Sequence, residues 1–284
     1  MLNRRALLAL APAALALRQA HAAPAQRLIT VGGSLTEVVY ALGAEASLVG
    51  VDSTSVYPAV ARMLPDIGYM RTLSAEGLLA LAPTLVLATE DAGPPAVLRQ
   101  LELAKVPLHI LRSEHRFEGL LARVERVGEL LGRTPQARAL VERMRNGWAT
   151  GQQRVQQLSQ ASKPPRVLFV LAHSMAQLRI SGEGTAADAM LTYAGARNAL
   201  AGVSGYKQLT PEAAIAAAPD VILTTNEGLQ AAGGIAPLLQ APGLALTPAG
   251  RAKRVVAYDA LELLGFGPRL PQLLPRLAES LYKA

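Results

Sequence analysis

Three side chains of different chemistry lie close together in residues 68–76: the phenol of Tyr69, the guanidinium of Arg71 and the carboxylate of Glu76. An apolar segment with helical character follows them, and a strand pattern begins at residue 84. Polar groups this dense at the edge of a core element are typical of ligand sites, because loops on a rigid scaffold carry most binding residues. The spacing therefore predicts a binding site that the surrounding strands and helices must position.

The composition indicates a large aliphatic core and excludes several kinds of chemistry. Of 284 residues, 51% are hydrophobic, 17% are charged and only 4% are aromatic, which is a globular composition and not a disordered one. The chain has no cysteine, so disulfides, thiolate metal sites, cysteine catalysis and lipid attachment through an N-terminal cysteine are excluded. No dense basic stripe with interleaved aromatic residues occurs, and nucleic acid is therefore not an expected partner.

Residues 1–22 have the pattern of an export signal. Two arginines, Arg4 and Arg5, precede an apolar segment at 6–17, and the sequence AHA ending at Ala22 is a typical cleavage site. The apolar segment is too short to span a bilayer, so we expect a soluble periplasmic protein after cleavage. The arginine pair leaves export by the general or by the twin-arginine route open. Cleavage removes three arginines and lowers the net charge from +7 to +4 (25 basic minus 21 acidic residues).

Strand and helix patterns alternate through most of the chain, which predicts an α/β fold with mainly parallel sheets in two similar lobes. The expected division is an N-terminal lobe at 23–116, a linking region at 117–163 and a C-terminal lobe at 164–284. The linking region contains helical spacing from 134 to 161, about 42 Å at 1.5 Å per residue. A helix of that length can join two lobes and favours small relative motions. Ser34 and Glu37 have the spacing of a capping box at the start of the first helix.

The two halves contain a weak internal repeat. Residues 73–89 align without gaps with residues 209–225, and seven of the seventeen positions are identical. The alignment pairs Glu76 with Glu212, and Tyr69 lies opposite Tyr206 after a one-residue shift. Two α/β lobes that face each other bring the loops after both sets of strands to one cleft, which is where ligands of such sheets bind.

These segments resemble the substrate-binding proteins of ABC importers for metal chelates, the class III periplasmic binding proteins with one long interlobe helix. The resemblance rests on RLITVGGSLTEVVYALGA, YMRTLSAEGLLALAPTLVLA and LTPEAAIAAAPDVIL. Within that class, GYMRTLSAEGLLAL, ISGEGTAADAM, GYKQLTPEA and LLGFGPRL are most similar to periplasmic haem-binding proteins. The resemblance implies binding of ferric haem b as a transported ligand and delivery to an inner-membrane ABC permease and ATPase. An outer-membrane haem receptor system is a further partner that it suggests.

The resemblance also implies roles for individual residues. Tyr69 matches the axial ligand of the haem iron and Arg71 the arginine that supports it, which agrees with the preference of hard ferric iron for a phenolate. His173 is a candidate further iron ligand from the second lobe, and Tyr206 and Lys207 are candidates for contact with the haem edge or a propionate. The alternative for Tyr69 is an amphipathic residue that covers the core, and for Arg71 a surface ion pair.

The repeated glutamates Glu76 and Glu212 match the carboxylates that dock onto arginines of the permease, one from each lobe. Such charges at the edge of an interface contribute mainly to register and association rate. The alternative is that both are first-turn glutamates favoured by the helix dipole. His109 lies in an apolar strand and is expected to be a core residue, and His115 receives no role.

Two other functions stay open from the residues alone. The same fold binds ferric siderophores or cobalamin, and ligands that already saturate their metal need no protein phenolate. The second alternative is an exported enzyme, but the sequence contains no nucleophile elbow, no His-Glu-x-x-His motif and no phosphate-binding loop. We therefore expect a carrier and not an enzyme.

Overall fold

The computed structural model describes residues 26–172, 174 and 177–283. The predicted leader at 1–22 and His173 lie outside these residues. The strands, in chain order, are β1 (Leu28–Val31), β2 (Leu48–Val51), β3 (Leu85–Thr89), β4 (Leu108–Leu111), β5 (Arg166–Ala172), β6 (Leu178–Ser181), β7 (Arg197–Asn198), β8 (Tyr206–Gln208), β9 (Val221–Thr225) and β10 (Val255–Tyr258).

Twelve α-helices occur in the part of the chain that the structure describes. They are α1 (Gly33–Ala41), α2 (Ala75–Ala80), α3 (Pro95–Leu103), α4 (Phe117–Leu130), α5 (Thr134–Ala161), α6 (Ala186–Tyr193), α7 (Pro211–Ala217), α8 (Asn226–Ala231), α9 (Ile235–Leu239), α10 (Pro248–Arg251), α11 (Ala260–Leu264) and α12 (Leu270–Tyr282). Short 3-10 helices cover Glu45–Ser47, Ala59–Met63 and Leu244–Leu246. None of these described helices is both long and apolar enough to cross a membrane.

The strands form two sheets, one in each lobe, as the predicted α/β fold requires. The first sheet has the order β2-β1-β3-β4 and is parallel throughout. The second has the order β10-β9-β5-β6-β8, with β7 beside the start of β5. Its strands β10, β9 and β5 are parallel, whereas β6 and β8 run antiparallel to their neighbours. The second sheet is therefore mixed, since two short strands that the sequence pattern did not reveal extend it.

The predicted long helix is α5, with bounds equal to those expected from the sequence. Gly147 and Gly151 lie within it without interrupting it. A Cβ added at Gly151 would lie 3.3 Å from Leu274 and from Pro275 of α12, so these small residues let the two helices approach closely. Helix α12 begins at Leu270, and Pro271 fits its first turn.

The predicted capping box at the start of α1 is wrong. The helix begins at Gly33, and the N-cap is Gly32 with a φ of 115°, a conformation that favours glycine. The amide of Gly32 donates to Asp52 (2.8 Å) and that of Gly33 to Thr54 (2.9 Å). Side chains from the loop after β2 therefore cap the helix, and Glu37 is free to contact the second lobe.

The internal repeat has a structural counterpart in α2–β3 and α7–β9. Ser74 caps α2 by accepting from the Gly77 amide, and Thr210 caps α7 by accepting from the Ala213 amide. After each helix an alanine adopts the left-handed conformation, with φ of 44° at Ala82 and 40° at Ala218. A proline and a fully buried strand follow in both lobes.

Candidate functional site

A cleft of about 440 Å³ lies between the lobes, at the carboxyl ends of the strands of the first sheet. The first lobe contributes Tyr69, Met70, Asp91 and His115 to its lining, and the second lobe contributes Leu261, Leu264 and Glu227. Its exposed lining is predominantly apolar. A cleft of this size, with a mostly apolar exposed surface and several polar side chains around it, suits a largely apolar small molecule that carries some polar groups.

Tyr69 lies in the loop before α2, and its side chain is 44% exposed. Gly68 precedes it with a φ of 89°, and its amide donates to Asp66 (2.8 Å) while its carbonyl accepts from Ser53 (3.0 Å). The loop is therefore held at its start, which fixes where the phenol emerges. A large aromatic residue held in contact with solvent at a cleft is available to a ligand.

Arg71 lies beside Tyr69 and forms an ion pair with Asp91 across 3.0 Å. Partial burial lowers the pKa of the Arg71 guanidinium, but the Asp91 carboxylate and the Tyr69 phenol together raise it above its ordinary value. Both oxygens thus lie near enough to the guanidinium to stabilise its charge, and the direct ion pair is with Asp91. The Tyr69 oxygen therefore lies beside a cation and at the cleft, where a ligand can reach it.

Two ionisable cleft residues of the first lobe, Asp91 and His115, were missed by the sequence analysis. Asp91 follows β3 and His115 follows β4, so the parallel order of these strands brings both to the same edge of the sheet. The His115 ring lies 5.4 Å from the ring of Phe266, which belongs to the second lobe. The rule that ligands bind beyond the carboxyl ends of parallel strands was the available signal for both.

The second-lobe candidates occupy the antiparallel extension of the second sheet. Tyr206 and Lys207 are in β8, and neither is among the described residues that line the cleft. Burial raises the pKa of Tyr206, although a hydrogen bond with Thr185 and the positive charge of Arg179 oppose the rise. The Arg179 guanidinium lies 5.8 Å from the centre of the Tyr206 ring. Lys207 is exposed.

Glu76 and Glu212 are both exposed in the first turn of their helices, α2 and α7. The two carboxylates therefore occupy equivalent positions in the two lobes. His109 is half-buried in β4, the edge strand of the first sheet.

A family model for periplasmic binding proteins matches residues 28–261. The chain belongs to the periplasmic binding protein family. Among solved structures, it is similar to the periplasmic haem-binding protein BhuT in complex with two haems, with 47% identity, 91% of this chain and 98% of that chain covered, and a TM-score of 0.87. It is also similar to the periplasmic haem-binding protein RhuT from Roseiflexus sp. RS-1 in apo form, with 40% identity, coverage of 91% and 98%, and a TM-score of 0.88.

Two curated members of the family with other names are more distant. An ABC transporter substrate-binding lipoprotein of Bacillus subtilis, YvrC, is 27% identical over 90% of this chain and 80% of its own length. A cobalamin-binding protein of Halobacterium salinarum is 27% identical over 90% of this chain and 69% of its own length. This periplasmic binding protein thus has the fold and family of importer components that bind substrates, and its structural neighbours are haem-binding proteins.

Proposed function

We propose that this protein binds ferric haem b in the interlobe cleft and delivers it to an ABC importer of the inner membrane. The observation that carries the proposal is an exposed tyrosine in an apolar cleft, with Arg71 and Asp91 beside it. The haem-binding neighbours, at 47% and 40% identity over nine-tenths of the chain, support the same ligand.

In this proposal Tyr69 ligates the iron through its phenolate oxygen. Coordination to ferric iron displaces the phenol proton to solvent, and the positive charge of Arg71 stabilises the resulting anion. Asp91 keeps the guanidinium in place through their ion pair. The apolar side chains Leu261 and Leu264 of the second lobe cover a face of the porphyrin, which contributes binding free energy by removing apolar surface from water.

Further residues have proposed roles that depend on this binding mode. His173 is a further iron ligand, and Tyr206 and Lys207 contact the haem edge or a propionate. Glu76 and Glu212 dock onto arginines of the permease. The protein acts in the periplasm after cleavage near Ala22 and receives haem from an outer-membrane receptor system.

An absorbance titration of the mature protein with haemin tests the ligand. We expect saturable binding with a tyrosinate-to-iron charge-transfer band, and Tyr69→Phe removes that band because the phenyl ring has no oxygen ligand. Tyr57→Phe is the matched control, since Tyr57 is another exposed tyrosine, at 45%, and its ring packs under Arg269. Haemin uptake with the same spectrum in the Tyr69→Phe variant would contradict the assignment of Tyr69 as the iron ligand. The spectrum of the His173→Ala variant tests whether His173 is a further iron ligand.

A corrinoid is the second candidate ligand, because several curated relatives are named for vitamin B12 or cobalamin. A cobalamin already carries its own nitrogen ligands and does not need a protein phenolate. Titration with cyanocobalamin, followed by quenching of the single tryptophan, separates the two ligands. Binding of cyanocobalamin with no binding of haemin would replace haem by a corrinoid and leave the importer role intact.

A further inference from the structure

The helices α2 and α7 each present an exposed apolar side chain one turn after the exposed glutamate. Leu79 is 36% exposed and Ile215 is 47% exposed. They follow Glu76 and Glu212 by three residues, so each pair of side chains lies on the same helix face. Each lobe therefore presents a carboxylate beside an aliphatic side chain.

The correspondence between the two helices extends over the whole turn. The residue before the aliphatic side chain is fully buried in both, Leu78 in the first lobe and Ala214 in the second. The residue after it is exposed in both. With the same type of cap before each helix and a left-handed alanine after it, the backbone holds both pairs in the same local arrangement.

A single exposed leucine needs no explanation, because apolar atoms form much of any protein surface. Two aliphatic side chains at equivalent positions of a repeat, each beside an exposed carboxylate, are a different observation. Most of the other aligned positions of these helices differ in residue type, yet both lobes keep a large aliphatic residue in contact with solvent here. Packing within each lobe does not require an aliphatic residue at these two positions, since both side chains are exposed.

We propose that Leu79 and Ile215 are contact residues for the membrane permease, and that each inserts into an apolar pocket beside a basic residue. The proposal rests on the proposed importer function. The occupant is a two-fold symmetric permease, because two equivalent patches on one chain fit a partner that offers the same surface twice. The carboxylates require a basic residue at each site, and an apolar contact beside a charge pair supplies affinity that an exposed charge pair lacks.

The test measures how tightly the haem-loaded protein binds its importer, reconstituted in nanodiscs, through the concentration that half-saturates ATPase stimulation. We expect Leu79→Ala combined with Ile215→Ala to raise this concentration about tenfold, which corresponds to about 1.4 kcal/mol. Haemin binding should be unchanged, since neither residue lines the cleft. Leu103→Ala and Leu246→Ala are matched controls, because these leucines are 82% and 58% exposed and lie outside both helices.

The outcomes separate this inference from the function on which it rests. An unchanged half-saturating concentration in the Leu79 and Ile215 double variant, with a raised one after Glu76→Ala and Glu212→Ala, overturns the apolar contact alone. An equal loss in the control variants also overturns it, because the effect would then follow surface hydrophobicity in general. A wild-type protein that binds no haemin overturns the proposed ligand instead.

Discussion

The charge at the opening of the cleft depends on the protonation state of His115 and on the ionisable side chains around it. This imidazole lies in contact with solvent at the cleft and close to a ring of the second lobe. Partial burial of the ring lowers the pKa of His115 below its ordinary value of 6.5, and the positive charge of Arg123 lowers it further. The negative charges of Asp91 and Glu90 oppose this shift. At neutral pH the side chain is therefore a neutral imidazole, which leaves the cleft less positive.

A proton titration of His115 by NMR tests this electrostatic description. We expect a midpoint below 6.5, and Asp91→Asn should lower it further because the carboxylate stabilises the imidazolium. Since the unfolded chain takes up this proton more readily, His115 contributes stability fully above pH 6.5, and that contribution is lost as the pH falls through the folded-state pKa. The loss is small, because solvent screens an exposed group. A midpoint above 6.5 would contradict the assignment.

The separation in sequence explains which cleft residues could be predicted. Tyr69 and Arg71 are two residues apart, so their chemistry was visible as one motif. Asp91 lies 20 residues from Arg71 and meets it only because β3 pairs with its neighbours in parallel. His115 lies in a charged loop, and only its place after a strand indicated that it belongs to the cleft. Contacts of this kind depend on strand order, which the sequence pattern predicts only as a class.

At the level of elements, the close contact between α5 and α12 determines how the second lobe is fixed to the long helix. Gly151 is buried in α5, and α12 packs directly against it. The ion pair between Arg154 and Glu279 (2.8 Å) and the hydrogen bond between Ser159 and Tyr282 (2.9 Å) continue the same contact. Glycine within a helix usually weakens it, but Gly147 and Gly151 lie on the side of α5 that α12 covers.

Replacing Gly151 with leucine should destabilise the protein by about 1–3 kcal/mol, because the larger side chain has no room beside Leu274 and Pro275. Denaturant unfolding monitored by circular dichroism measures the change. Gln152→Leu is the matched control, since residue 152 is exposed on the same helix and should change stability by less than about 0.5 kcal/mol. Equal stability of the two variants would mean that α12 does not pack closely here.

Across the whole molecule, one apolar core runs from the first sheet through α4, α5 and α12 into the second sheet. Trp148 of α5 stacks on Phe117 at 4.3 Å and meets the edge of Tyr193 at 4.8 Å. The Phe117 amide donates to the Tyr193 hydroxyl (3.1 Å). The lobes therefore share packed side chains, and their connection does not depend on the long helix alone.

A buried ion pair adds a second connection between the lobes. Arg269 donates to both oxygens of Glu37, at 2.5 Å to one and 3.1 Å to the other, and its guanidinium lies 3.9 Å from the centre of the Tyr57 ring. Glu37 is 4% exposed. Burial raises the pKa of Glu37 above its ordinary value, although Arg269 opposes the rise. The buried Glu37 carboxylate therefore depends on Arg269, because water cannot take the place of the guanidinium.

Arg269→Met should therefore cost about 3–5 kcal/mol of unfolding free energy at pH 7, since it leaves a buried carboxylate without a partner. The combined change with Glu37→Gln should cost less than the sum of the two single changes, because they remove the same interaction. Arg126→Met is the control, as Arg126 pairs with Glu129 on the surface (2.8 Å, both side chains about half exposed), and it should cost less than about 1 kcal/mol. Additive effects at positions 37 and 269 would show that the pair is not coupled.

The shared core and the ion pair together predict little relative motion of the lobes when ligand binds. Closure by a hinge would have to separate Trp148 from its aromatic neighbours or Arg269 from Glu37, and packed cores resist continuous deformation. Small-angle X-ray scattering of the mature protein should give superimposable profiles with and without haemin. The Tyr69→Phe variant mixed with haemin corrects for haemin that associates non-specifically with the surface. A clear fall in the radius of gyration on binding to the wild type alone would mean that the lobes close despite these contacts.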